Sequence, residues 1–163
     1  MKSNPCGFWR HVLFLLFLSP LVVGAIDIIV TGEWTNLTIT ANDLTAGPGS
    51  NLTAEYQSTI DQVTIDILNT TGNSDSWRVD VKRTDSTWNS IPVLAVKRYD
   101  AGSGGGSISG GLGFQTVGMT DMAFFSGTGD RTGIHVQLRI SNISVSLSPG
   151  NFSTTISYTV VDT

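Results

Sequence analysis

The sequence predicts an all-β protein, a sandwich or barrel of about eight or nine antiparallel strands. Three observations indicate this class. Apolar and polar residues alternate along several short stretches, and turn signals recur about every 8–12 residues. Among the 13 acidic residues, 11 are Asp, which favours turns, and only two are Glu, which favours helices. No amphipathic helical period appears after residue 25.

The first 25 residues have the pattern of a secretory signal peptide. Lys2 and Arg10 give a positive start, residues 12–23 form a short apolar run, and small residues precede the expected cleavage point. The apolar run is shorter than the roughly 20 residues that a transmembrane helix needs to cross a bilayer. The alternative is that the segment is not cleaved and stays as an N-terminal anchor. We therefore expect a mature protein that begins at Ile26. It would be secreted or held at the cell surface, after periplasmic transit in a Gram-negative host, and would have no membrane span.

Residues 26–163 are predicted to form one β-sandwich domain, since 163 − 25 leaves 138 residues. The single cysteine, Cys6, lies in the predicted signal peptide, so neither disulfides nor thiol chemistry are available to the mature chain. Thirteen Asp and Glu face seven Lys and Arg in this part of the chain, which gives a net charge of −6. This acidic balance argues against nucleic acid as a partner.

The strongest alternation lies between residues 133 and 163. Apolar residues occupy every second position in residues 134–140, the parity shifts at Ser141-Asn142, and alternation resumes in residues 143–147 and 152–160. Period-2 alternation predicts half-buried antiparallel strands. A two-residue turn at Ser141-Asn142 would make a hairpin whose inward face continues across three strands. A β-bulge at the same place would instead make one long bent strand.

Eight further stretches before residue 133 are predicted to be strands. These candidate strands are residues 26–30, 34–41, 52–57, 59–68, 77–82, 93–99, 112–117 and 120–125. Ile26–Val30 allows two interpretations. It either pairs within its own sandwich or adds, as an extended segment, to the sheet edge of a neighbouring copy.

Asp100–Gly111 is a low-complexity segment with six Gly and three Ser. A phosphate-binding loop would need a lysine and a following helix, and a dinucleotide site would need a βαβ unit. Neither context is present, so we expect a mobile hairpin loop and no bound nucleotide.

No pattern of catalytic or metal-binding residues emerges. His135 is the one histidine after residue 25, and its place on the polar side of a strand predicts a solvated side chain. One histidine without cysteines cannot make a zinc site, and no nucleophile elbow accompanies it. Calcium held between Asp-containing loops stays open as an alternative. We expect a protein that is not an enzyme and has no cofactor.

Two groups of side chains are candidate ligand or partner contacts. The first is a set of cations on two strands taken to be neighbours: Arg78, Lys82, Arg83, Lys97 and Arg98. They would meet an acidic partner such as a polyanionic glycan or another copy, or they would form a solvated face paired with Asp66 and Asp80. The second group is a set of aromatic residues, Trp34, Trp77, Trp88 and Tyr99, of which Trp34 and Trp88 lie near loops and are the better candidates to stack on sugars; the alternative is that they anchor the loops by packing. Trp77 is in phase with Val79 and Val81, which predicts a core position.

The segment Pro149–Val160 resembles the last strand of bacterial pilin-like and spore-coat-U-like surface proteins. Those proteins end with a Gly-aromatic turn and an alternating strand that carries a late Tyr or Phe. The chain lacks the cysteine pair that is common in such pilins. The resemblance implies an immunoglobulin-like sandwich that works as a structural or adhesive subunit at the cell surface, with no catalytic residues. Its partners would be other copies or cell-surface components. The alternative function is a secreted carbohydrate-binding module.

Overall fold

The structure is a computed structural model that describes residues 25–35 and 37–163. The predicted signal peptide lies outside the described residues except for Ala25. The strands are β1 (Asp27–Thr31), β2 (Glu55–Gln57), β3 (Val63–Leu68), β4 (Ser76–Asp85), β5 (Val93–Arg98), β6 (Ser103–Gly104), β7 (Ile108–Gly110), β8 (Gln115–Thr116), β9 (Met122–Thr128), β10 (Arg131–Ser141) and β11 (Thr154–Asp162). One short 3₁₀ helix spans Ala41–Asp43.

The strands form two antiparallel sheets. The larger sheet has the order β1-β3-β10-β5-β8, with β2 and β6 also paired to β10, and the smaller sheet has the order β11-β4-β9-β7. The prediction of an all-β antiparallel sandwich is confirmed. The number of strands exceeds the expected eight or nine because β6 and β8 have only two residues each.

The core lies between the two sheets, where the inward positions of alternating strands meet. Ile65 from β3 and Ile134 from β10 face Trp77 and Val79 from β4, and all four side chains are fully buried. The predicted core position of Trp77 is confirmed, and its ring packs edge-on against Phe125 at a centroid distance of 6.1 Å. Its indole Nε1 donates to the carbonyl of Gly129 at 2.8 Å, so the buried polar atom has a partner.

Both explanations of the parity shift at Ser141-Asn142 are wrong. β10 ends at Ser141, and Asn142 adopts a φ of 63°, which turns the chain out of the larger sheet. Residues 143–147 form no strand, and Val145 is 59% exposed. The next strand, β11, pairs with β4 in the smaller sheet, so no inward face continues across three consecutive strands.

The predicted strand over residues 34–41 is also absent from the described part of that range, residues 34–35 and 37–41. Local side-chain hydrogen bonds favour a helical turn here instead, because the Thr40 hydroxyl accepts from the Asn42 amide while the Asp43 carboxylate accepts from the Thr40 amide at 2.8 Å. The strand predicted at Ile26–Val30, by contrast, is present as β1, Asp27–Thr31. It pairs with β3 in its own sheet, from Asp27 opposite Leu68 to Thr31 opposite Thr64.

The glycine-rich segment is not a hairpin loop. It crosses from the larger sheet to the smaller one, with β6 paired to β10 and β7 paired to β9. The crossing requires glycine at one close approach, since a Cβ on Gly106 would lie 1.7 Å from the carbonyl oxygen of Thr128.

Candidate functional site: a free sheet edge beside an interior cleft

β11 is an edge strand that pairs along its whole length on one side only. Its register with β4 runs without interruption from Thr154 opposite Asp85 to Asp162 opposite Trp77. No other described strand pairs with β11. Main-chain amides and carbonyls therefore line an unpaired edge over nine residues.

The hydrogen bonds at the two ends of β11 identify which residues face this free edge. Thr163 donates its amide to the Ser76 carbonyl at 3.1 Å, and Ser86 donates its amide to the Ser153 carbonyl at 3.2 Å. Because bonded positions alternate in an antiparallel ladder, the odd-numbered residues bond to β4. The free edge thus presents the amides and carbonyls of the even-numbered residues: Thr154, Ile156, Tyr158, Val160 and Asp162.

The side chains of β11 follow the same alternation. Ile156, Tyr158 and Val160 pack against the core, whereas Thr155 and Thr159 are exposed. The outer side of the strand is therefore hydroxyl-rich. The one charged residue of β11, Asp162, is the last residue of the strand.

The other sheet edges are shorter. β7 and β8 have three and two residues, and β1, which ends the larger sheet opposite β8, has five. Proteins commonly protect edges by shortness, proline, lysine or a bulge. β11 has none of these features, and at nine residues it is nearly twice as long as β1, the next longest of these edges.

A cleft of about 1130 Å³ adjoins β11 between the two sheets. Its walls come from the end of β1 with the segment that follows it, and from the first half of β11 with the segment that precedes it. The floor includes Leu94 and Leu138 from the larger sheet. Glu33 is the single charged residue among the described residues that line the cleft, and the rest of the lining mixes aliphatic and aromatic side chains with serine, threonine and asparagine.

The structure brings Trp34 and Trp88 together on this cleft, although 54 positions separate them in the sequence. Both side chains are half-buried and pack against the core. Trp88 donates its indole Nε1 to the Pro92 carbonyl at 3.2 Å, which fixes that ring. The two predicted platform residues therefore line a recess rather than an open surface.

Tyr158 also lines the cleft, and its hydroxyl is buried with no hydrogen-bond partner among the described residues. Burial raises the pKa of Tyr158 well above its ordinary value, so the phenol stays neutral at physiological pH. The alternation over residues 152–160 predicted a strand here, but not that the strand would bury a phenol hydroxyl. The sequence contains the information needed for this inference, because Tyr158 alternates in phase with Ile156 and Val160 and so carries a hydroxyl to the apolar face of the strand.

The predicted cationic patch does not exist as one surface. β4 and β5 belong to different sheets, so Arg78 and Lys82 lie on a different layer from Lys97 and Arg98. Arg78 pairs with Asp80 at 2.6 Å and Lys82 with Asp121 at 3.1 Å. Arg83, the remaining member of the set, pairs with Asp85.

Lys97 lies on the outer face of the larger sheet among aromatic rings. Its Nζ is 4.8 Å from the ring centroid of Phe114 and 5.8 Å from that of Tyr99. Arg139 approaches the same Phe114 ring at 4.2 Å and pairs with Glu55 at 3.3 Å. Cation–π contacts rather than carboxylates hold Lys97 in place.

Arg98 is buried, at 4% exposure, and so is not a surface contact. Its guanidinium donates to the Gly110 carbonyl through Nε at 2.9 Å and Nη2 at 2.7 Å, and to the Asp100 carbonyl through Nη1 at 2.6 Å. Burial lowers the pKa of Arg98, although nearby Asp100 opposes this effect. Arg98 thereby ties together the two ends of the glycine-rich segment.

His135 is half-exposed, as expected for the polar side of a strand, but it is not free. Its Nδ1 lies 2.5 Å from Oδ2 of Asp100, and its amide donates to Oδ1 of the same carboxylate at 3.1 Å. No hydroxyl of the described residues hydrogen-bonds to the ring, so the pair lacks the nucleophile of a catalytic triad.

Within residues 25–35 and 37–163, no group of three or more His, Cys, Asp or Glu side chains could hold a metal ion. In the same ranges, no helix has the length and apolar character needed to cross a membrane. Comparison of the chain with protein-family models, curated proteins and solved structures finds no match.

Proposed function

We propose that this protein is a secreted structural or adhesive subunit of a cell-surface assembly, without enzymatic activity, that pairs with another copy through the free edge of β11. The observation that carries the proposal is this edge: nine residues long, paired on one side only, and free of proline and lysine. Main-chain hydrogen bonds along such an edge give affinity for an added strand.

A second copy fits the edge because β11 is compatible with itself. In an antiparallel pair centred on Tyr158, Asp162 of each copy lies opposite Thr154 of the other, so no like charges meet. The outward groups of the even-numbered residues would then bond to the even-numbered residues of the partner. Residues 26–163 have a net charge of −6, yet the edge carries one charged side chain at its end, which limits repulsion where the copies meet.

Two neighbouring valines provide a matched test. Val160→Pro removes an amide that faces the free edge, where proline is tolerated, whereas Val161→Pro removes an amide bonded to β4. We expect wild-type protein to associate with rising concentration in sedimentation velocity, Val160→Pro to stay folded and monomeric, and Val161→Pro to lose the fold. Wild-type protein that is monomeric even at millimolar concentration would exclude this proposal.

A second variant keeps the test valid if Val160→Pro does not fold. The Thr159 side chain is exposed beside the free edge, so Thr159→Lys adds the charge that natural edges use against pairing without touching the core. Thr159→Lys should unfold at the same urea concentration as the wild type and should not associate. Association equal to that of the wild type would count against pairing through β11.

Glycan binding is the second candidate function, because Trp34 and Trp88 line the same cleft and aromatic rings stack on sugars. A polysaccharide panel tests it. Binding lost in both Trp34→Ala and Trp88→Ala, and kept in Tyr99→Ala on the opposite face of the larger sheet, would favour a carbohydrate-binding module. If the protein binds none of the polysaccharides, the result favours the structural or adhesive subunit over the carbohydrate-binding module.

A further inference from the structure

Five Asn-x-Ser/Thr triplets lie in residues 26–163, and pairing at β11 makes no use of them. In exported proteins, an asparagine in such a triplet is the acceptor of an N-linked glycan, provided that the middle residue is not proline. The first triplet begins at Asn36, which lies outside the described residues. The other four begin at Asn51, Asn69, Asn142 and Asn151. All four of these asparagines are exposed and lie outside the strands, so a sugar on any of them would extend into solvent.

Two of the four side chains already use the nitrogen to which a sugar would be attached. Asn69 donates its Nδ2 to Oδ2 of Asp27 at 2.6 Å, and Asn142 donates its Nδ2 to the Ile91 carbonyl at 2.8 Å. Both residues also adopt a positive φ, 62° and 63°, in the turns that follow their strands. A glycan at either position would replace one of the two Nδ2 hydrogens and would have to fit beside a hydrogen bond that the fold uses.

The nitrogens of Asn51 and Asn151 are not used in this way. Oδ1 of Asn51 accepts from the amides of Leu52 at 3.0 Å and Val145 at 3.1 Å, and no described residue accepts from its Nδ2. The Asn151 side chain makes no hydrogen bond with any described residue and lies three positions before β11. A sugar can therefore join either nitrogen without displacing a contact within the described part of the chain.

Both of these asparagines adjoin an exposed apolar side chain. Val145, whose amide bonds to Asn51, is 59% exposed, and Phe152, the neighbour of Asn151, is 37% exposed. Glycans are bulky and solubilising, so one at each position would shield this apolar surface from other molecules. Neither asparagine lies within Thr154–Asp162, the stretch proposed to pair with a second copy.

We propose that Asn51 and Asn151 carry N-linked glycans in the exported protein. The co-reactant is an oligosaccharide joined to a membrane lipid through a diphosphate. Nδ2 attacks the anomeric carbon, a C–N bond forms, and the bond from that carbon to the diphosphate oxygen breaks. The lipid diphosphate leaves with the electron pair, and Nδ2 gives one proton to a base of the transferase. The inference rests on the export that the proposed function includes, and it does not depend on pairing at β11.

Protein secreted by the organism that encodes it is the material for the test. An amidase that releases N-linked glycans in heavy-oxygen water converts each glycosylated asparagine into a labelled aspartate, which peptide mass spectrometry locates. We expect the label at Asn51 and Asn151, and no label in a sample kept in the same water without the amidase. Secreted protein that lacks the label at either position would overturn the inference and leave the proposed function unaffected. Protein that stays inside the cell with residues 1–25 attached would contradict both.

The third residue of each triplet offers matched variants that leave the asparagine in place. Thr53→Ala and Ser153→Ala remove the hydroxyl that the triplet requires, whereas Thr53→Ser and Ser153→Thr keep it. Both residues are exposed, so all four variants should fold. In the same host, each alanine variant should lose the mass of one glycan, and each hydroxyl-bearing variant should retain the full mass. An alanine variant that keeps the full mass, or a loss of equal size in its hydroxyl-bearing counterpart, would count against glycosylation at that site.

Discussion

A single buried guanidinium, that of Arg98, holds the ends of the glycine-rich segment through the carbonyls of Asp100 and Gly110. Arg98→Met keeps the apolar stem but leaves both carbonyls without their donor. We expect this change to lower the free energy of unfolding by about 2–3 kcal/mol, as for buried acceptors left unpaired. Urea titration measures it, with Lys82→Met as the control.

Lys82 and Asp121 form an exposed ion pair, so Lys82→Met should cost about 0–1 kcal/mol. Equal losses for Arg98→Met and Lys82→Met would show that the carbonyls find other partners when the guanidinium is removed.

Asp100 links the glycine-rich segment to β10 through its hydrogen bonds with His135. Its ionisation makes the free energy of unfolding depend on pH. Burial opposes ionisation of Asp100, but hydrogen bonds from His135 and Gly102 together hold its pKa below the ordinary value. A carboxylate with a lowered folded-state pKa stabilises the fold above the unfolded-state pKa, about 3.9. That contribution is lost as pH falls through the lower, folded-state value.

Asp100→Asn should therefore be less stable than wild type at neutral pH, and the difference should shrink as pH falls below about 4. Urea titrations at a series of pH values from neutral to acid measure both. A difference that stays constant throughout the acid range would mean that the Asp100 carboxylate does not carry this dependence.

At the scale of the element, alternation predicted strands well where a partner strand was present. β3, β4 and β10 each contain a stretch with alternating apolar residues and were predicted close to their observed positions. Residues 143–147 alternate equally well but form no strand, because the turn at Asn142 carries them away from any sheet. Alternation indicates that a segment can form a strand, but the strand forms only where a neighbouring strand is in place to pair with it.

The candidate site was predictable only in part, for the same reason. Trp34 and Trp88 were identified as aromatic residues near loops, but nothing local shows that they share a cleft. The cationic patch failed because β4 and β5, consecutive in sequence, lie in different sheets. Sheet membership depends on pairings between distant residues, such as that of β11 with β4, which the local pattern does not contain.

The glycine-rich element supplies a prediction about close packing. A Cβ on Gly106 would lie 1.7 Å from the backbone oxygen of Thr128, whereas a Cβ on Gly113 would meet nothing within 4 Å. Gly106→Ala must displace the backbone and should lower the unfolding free energy by about 1–3 kcal/mol. Gly113→Ala should change it by less than about 0.5 kcal/mol. Equal thermal unfolding midpoints for the two variants would show that the segment is not held against β9.

For the whole molecule, the two longest free edges bound one cleft. β1 ends the larger sheet and β11 ends the smaller one, and residues from both strands line the opening between them. The chain thus closes its core with its first and last strands.

Deletion of Ile26–Gly32 tests whether β1 serves its own fold or a neighbouring copy. β1 pairs over five residues with β3, and Ile26 and Ile28 pack against the core. We expect the deletion to lower the unfolding free energy by about 3 kcal/mol, the lower end for two isoleucine side chains that are only half-buried. Calorimetry gives the midpoint, and sedimentation velocity gives the size.

Ile29→Thr is the matched control within β1, because Ile29 is 47% exposed and threonine keeps the strand preference. Its unfolding free energy should stay within about 0.5 kcal/mol of wild type. The folded fraction of the deletion variant should still associate, since its β11 edge is intact. A deletion variant that keeps the wild-type midpoint but loses association would show instead that Ile26–Val30 acts between copies.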